Sequence, residues 1–221
     1  MRRTLLACLA LAALGTGVAR AQLANVPVYA NPSMSGFRIA ADYAKGMNDE
    51  SLEHWAVAGQ GHFGISRIVF GAGIGAVDFG SSTDVTYMGS LAVKVINTGL
   101  VSVALQGGIG FTSVSADSVL DALKTRDIPV SLGVGLHLPL VVVSIDPWVA
   151  PRYTFRRHAV GDVSDHRNHF GVSAGVDASL VFGLGLQIAV DFQSLPELTG
   201  DIFDDAKREP FLLSAGLHFG L

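Results

Sequence analysis

From residue 36 to its end the chain alternates with a period of two, and that period leaves few folds open. In Phe211–Leu221, Phe211, Leu213, Ala215, Leu217, Phe219 and Leu221 fall on one side. Leu212, Ser214, Gly216, His218 and Gly220 fall on the other. A two-residue period is that of a β-strand, whose successive side chains point to opposite faces. A strand that is apolar outward and small or polar inward suits a closed barrel with lipid outside and a filled or watery lumen.

Ten segments share this pattern, with eight or twelve as the bounds of the count. They run from about Gly36 to Ala44, Glu53 to Phe63, Arg67 to Val77, Asp84 to Ile96 and Leu100 to Thr112. They continue from about Ile128 to Leu138, Val141 to Arg156, His169 to Leu180, Leu184 to Gln193 and Phe211 to Leu221. In the third, Ile68, Phe70, Ala72, Ile74 and Ala76 alternate with Gly71, Gly73 and Gly75. Connections expected to be short (near 64–66, 97–99, 138–140 and 182–183) alternate with longer polar ones at 45–52, 78–83, 113–126, 157–168 and 194–209. That is the habit of bacterial outer-membrane barrels, with short periplasmic turns and longer loops outside.

Two other folds are weighed against this. The stretch from Ile128 to Ile145 has the apolar content of a membrane helix, but Pro129, Pro139, Gly133 and Gly135 are poor company for a helix interior. A soluble barrel would put the apolar face inside. Here that face would become one large exposed patch in water.

The N-terminus reads Met1-Arg-Arg, an apolar run from Leu5 to Val18, and Ala19-Arg-Ala21. A basic start, a short apolar stretch and an A-x-A site specify a cleaved secretory signal over residues 1–21. The single cysteine, Cys8, leaves with it, so no disulfide or thiolate metal site is expected. Loss of Arg2, Arg3 and Arg20 takes the basic count from 15 to 12 against 19 acids, a net charge of −7. That balance argues against a nucleic-acid partner, which would need a basic stripe. Residues 22–35, with Pro27 and Pro32, are expected as a periplasmic extension, and 36–221 as the barrel.

On the signal, on segments such as Ile128-Pro-Val-Ser-Leu-Gly-Val-Gly-Leu136 and Trp148-Val-Ala-Pro-Arg-Tyr153, and on the terminal strand, the mature chain resembles the small Gram-negative outer-membrane β-barrel superfamily. That superfamily includes OmpX-, OmpW- and opacity-type proteins. The resemblance implies residence in the outer membrane, contact with its lipids and lipopolysaccharide, and recognition of the last strand by the barrel-insertion machinery. The family usually ends in phenylalanine; this chain ends in Leu221, with Phe219 two places earlier.

Parity places Arg38, Asp42, His54, Gln60, His62, Lys94, Gln106, His137, Asp146, Arg152, Arg156, Asp177, Gln187, Asp191 and His218 inside. Arg38, Asp42, His54, Lys94, Asp146, Arg152, Arg156, Asp177 and Asp191 are the candidate polar network, because unpaired charge in a narrow lumen is costly. Matched heights group Asp42, His54, Arg152, Arg156 and Asp191 in the outer half, and His62, Lys94, His137 and His218 toward the periplasm.

The expected function is a structural or cell-surface role for a monomer without cofactor or catalytic site. A narrow pore is the alternative, since ten strands lie between filled barrels of about eight and open channels of 16 or more. A surface enzyme acting on lipid or peptide is the second. For it, Asp177 and Asp191 on adjacent strands could form a general acid–base pair, with Arg152 as the neutralising neighbour. His158, Asp162, Asp165, His166 and His169 resemble a metal cluster, but in a segment read as a loop they lack fixed geometry, and no metal is expected. The acidic 196–205 stretch has carboxylates for calcium but not the spacing of an ordered calcium loop.

Overall fold

The computed structural model describes residues 31–48, 55–78, 83–114, 123–160, 163–194 and 210–221. The signal segment, His54, Asp162 and the 196–205 stretch lie outside them. Among the described residues there is no helix. Ten long strands follow in order: β1 (Gly36–Gly46), β2 (Trp55–Ile65), β3 (Ile68–Asp78), β4 (Thr83–Asn97), β5 (Val101–Val114), β6 (Leu123–Leu136), β7 (Val143–Val160), β8 (Val163–Leu180), β9 (Leu184–Ser194) and β10 (Phe211–Gly220). The pair Leu138–Pro139 carries β6 past His137 and bonds to Ser144 and Ile145 of β7.

Each strand is antiparallel to the next, and β1 pairs with β10, so the sheet closes without a free edge. The registers define its tilt. Paired residues lead from Leu138 through Ile145, Ala178, Leu186, Leu217 and Ala41. They continue through Gly59, Ile74, Tyr87 and Phe111, and return to the sixth strand at Arg126, twelve residues from the start. That stagger is the shear of the barrel, and closure requires its strands to tilt.

Four strands run beyond their apolar alternation. The expected polar connection at 157–168 is instead hairpin: β7 and β8 stay paired up to Val160 opposite Val163. The sixth strand begins at Leu123, ahead of the expected Ile128, and β5 runs on to Val114. The apolar outward face ends where lipid ends, but backbone pairing needs no lipid and continues.

The outward face is apolar and open: Phe70, Ile74, Tyr87, Leu105, Phe170, Leu186 and Leu217 are each more than half exposed. The inner face is two-sided. From β2 to β4 it carries Ala56, Ala58, Val69, Val77, Met88 and Ala92, whereas from β6 round to β1 it carries most of the buried charge. Proline interrupts the ladder on that charged side. Pairing of β5 with β6 skips from Gly107–Val130 to Gly110–Asp127 at Pro129, which has no N–H to donate.

Residues 31–35 turn into the end of the lumen that carries the short turns. Pro32 is fully buried, and Met34 packs with Val69, Ala92 and Ala104. Gly133 makes room: a β-carbon there would sit 2.6 Å from the Pro32 ring. So this part of the stretch expected as an extension lines the mouth of the barrel.

Candidate functional site

Inward-facing polar side chains form two groups at different heights. Toward the long connections, Arg152 reaches across β8 to Asp191 of β9 in a two-pronged ion pair, with Arg152 Nη2 2.7 Å from Asp191 Oδ2 and Nη1 on Oδ1. Between them Ser173 Oγ accepts from Arg152 Nη1 at 2.5 Å and donates to Asp191 Oδ1 at 2.6 Å. Gln193 donates to the second Asp191 oxygen at 2.9 Å. One step higher, Arg156 donates from Nε and Nη2 to the two oxygens of Asp127, at 2.8 and 2.7 Å. Gly171 lets Arg152 lie flat against β8, since a β-carbon there would meet its guanidinium at 3.0 Å. Fork-to-carboxylate pairs of this kind combine strong hydrogen bonding with fixed geometry.

Toward the short turns the pattern is a chain instead of closed pairs. Arg38 Nη1 donates to Asp177 Oδ2 at 2.8 Å, and its Nη2 reaches Gln187 and, at 2.8 Å, His218 Nδ1. The Gln187 amide then donates to Asp42, whose other oxygen accepts from Gln60. Asn31 donates to the same Asp177 oxygen at 2.8 Å, and Lys94 Nζ to the Ser33 carbonyl at 3.2 Å. Asp146 lies 2.5 Å from His137 Nδ1, with the imidazole partly open to the mouth.

The structure therefore brings Arg38, Asp42 and Asp177 into one network and Arg152 with Asp191 into another. Asp42 joins the turn-end group although height matching set it with the outer half, because Gln187 reaches it across the β10 position Gly216. Arg156 pairs with Asp127, one residue before the expected start of the sixth strand; the parity of Ser131 and Gly133, carried back, points Asp127 inward as well. Asn31 and Ser33 had no periodic signal to reveal them.

Asp177 and Asp191 do not form a carboxylate pair. Asp177 sits opposite Gln187, four residues from Asp191 on β9, about 13 Å at strand rise. Arg38 and Arg152 engage them separately. Of the metal-like cluster, the side chains of His166 and His169 are described, and they lie on opposite faces. In a strand, residues three apart face opposite ways, so His169 is buried inward and His166 exposed outward. Among the described residues no group of three metal-ligating side chains occurs.

Ser179 Oγ lies 2.9 Å from His218 Nε2. Arginine only donates, so the Arg38 contact requires His218 Nδ1 to accept. The neutral ring then carries its proton on Nε2 and donates it to Ser179. A base that activates serine needs the opposite polarity.

No family model matches the sequence. No curated protein matches it either. Among solved structures, the β domain of the Bordetella autotransporter BrkA superposes with a TM-score of 0.51 at 11% identity, over 85% of this chain and 100% of that one. A bacterial polysaccharide outer membrane secretin gives 0.47 at 11% identity, over 84% of this chain. The chain spans only 65% of that secretin's length. Neisserial surface protein A gives 0.40 at 14% identity, over 85% and 98%. With its closed ten-stranded sheet, apolar outer face and polar interior, this chain has the fold of an outer-membrane β-barrel.

Proposed function

We propose that this protein is a sealed outer-membrane barrel with a structural or cell-surface role, neither a channel nor an enzyme. The observation that carries the reading is the burial of the Arg152–Asp191–Ser173 cluster, whose members are 1%, 0% and 0% exposed. These groups spend their hydrogen bonds on one another and present no charge to a solvent path. The Pro32 segment narrows the opposite end, and the His218 polarity argues against a serine nucleophile there. Residues 1–21 act as the cleaved export signal. The monomer is surrounded by membrane lipid and lipopolysaccharide, the insertion machinery reads β10, and no cofactor or nucleic acid takes part. Arg38, Asp42, Lys94, Asp146, Arg152, Arg156, Asp177 and Asp191 serve as the internal brace.

The test is conductance of the refolded mature protein in a planar bilayer. A folded, heat-modifiable barrel that stays silent is the expected result. Discrete steps whose ion preference shifts in Asp191→Asn would replace the sealed reading with a pore lined by this network.

A further inference from the structure

On the lipid-facing side, at the end with the long connections, three cations stand side by side. Arg126 of β6 is in register with Phe111 of β5 on one side and Arg157 of β7 on the other, and Lys124 lies two residues further along β6. All three point outward and are exposed. With Val85, Tyr87, Phe111, Ser113 and Ala159 they border a groove of about 440 Å³, with no carboxylate among the described residues that line it.

Two features mark this patch as a place for an anion. Like charges directly opposite on neighbouring strands repel, and Arg126 opposite Arg157 is such a pair. The patch also lies at a boundary. Below Arg126 the outward residues of β6 are Ile128, Val130, Leu132, Val134 and Leu136; below Arg157 come Phe155 and Tyr153. The cations therefore sit at headgroup height, above aromatic rings that suit the interface.

We propose that Lys124, Arg126 and Arg157 bind the phosphate groups of a phosphorylated glycolipid of the outer leaflet, with its acyl chains lying over Tyr87 and Phe111. Arginine pairs favour phosphate through bidentate hydrogen bonds, and the two guanidinium groups, one strand apart, can hold one phosphate while Lys124 meets a second. This rests on the reading of the barrel as embedded with its long connections outward.

The experiment compares the wild type, Arg126→Gln/Arg157→Gln and Arg126→Lys/Arg157→Lys, each folded in phosphatidylcholine vesicles. Lipopolysaccharide, its dephosphorylated form or inorganic phosphate is added, and the unfolding temperature and bound lipid are measured. Lipopolysaccharide should raise the wild-type unfolding temperature, and neither the dephosphorylated form nor inorganic phosphate should do so. The glutamine variant should fold equally well but bind about thirty-fold more weakly, from the loss of two basic side chains at an anionic surface. The lysine variant should retain most of the binding. An undiminished response in the glutamine variant, or none in an inserted wild type, overturns the site. Failure of the wild type to insert into vesicles at all overturns the membrane reading instead.

Discussion

The two halves of the lumen solve the same problem in different ways. Toward the long connections each buried arginine has its own carboxylate, Arg152 with Asp191 and Arg156 with Asp127, held by neighbouring strands of one continuous sheet. Toward the short turns Arg38 meets Asp177, amides carry the balance through Gln187, Gln60 and Asn31 to Asp42 and Asp177, and Lys94 turns to the Ser33 carbonyl. The first half is complete within β6 to β9. The second exists only once β1 has closed against β10 and the 31–35 segment has entered the mouth, since Arg38 and Asp177 are 139 residues apart. Closed pairs tie neighbouring strands; the shared network joins the first barrel strand to the last ones.

If that contrast is right, Arg152→Met should be the most damaging single change. It leaves Asp191 with no exposure and no cation, a loss of about 3–5 kcal/mol read from urea unfolding in lipid vesicles. Arg38→Met should cost less, about 2–4 kcal/mol, because Asp177 keeps the Asn31 amide and lies nearer the mouth. Equal losses in the two variants would erase the difference between the halves.

Gly133→Val tests the mouth directly. Its side chain would collide with Pro32, so the barrel should persist, at a cost of about 1–3 kcal/mol, while 31–35 become cleavable by added protease. An unchanged digestion pattern would show that the segment is not held there. Asn31→Ala should cost about 1–2 kcal/mol and raise protease access without altering the loop-end pairs. The smallest effect belongs to His166→Gln, expected within about 0.5 kcal/mol of wild type. Added zinc should shift neither protein's unfolding, and a zinc-dependent shift lost in the variant would revive the metal reading.

Much of this barrel was legible because outward residues such as Ile68, Phe70 and Ile74 must meet lipid at every second position. The reading failed where that requirement stops. Asp127 lies one residue before the apolar alternation of its strand begins, and the hairpin over 157–168 carries no apolar alternation to announce it. Pro32 and Asn31 enter the lumen on a stretch without any period, and their burial depends on the space left by Gly133 and the oxygen offered by Asp177. Asp42 meets the turn-end group despite its place along β1, because stagger accumulates around a tilted barrel.

Alternation is a property of the extended backbone itself, so the residues alone determined that the chain is made of about ten strands and which side of each faces lipid. Which charges meet was decided by the tertiary structure. A twelve-residue shear and the closure of β1 on β10 bring Arg38 to Asp177, while the register of β8 on β9 leaves Asp177 apart from Asp191. Those contacts cross the lumen, where distance is governed by the circumference and tilt of the closed sheet and not by separation along the chain.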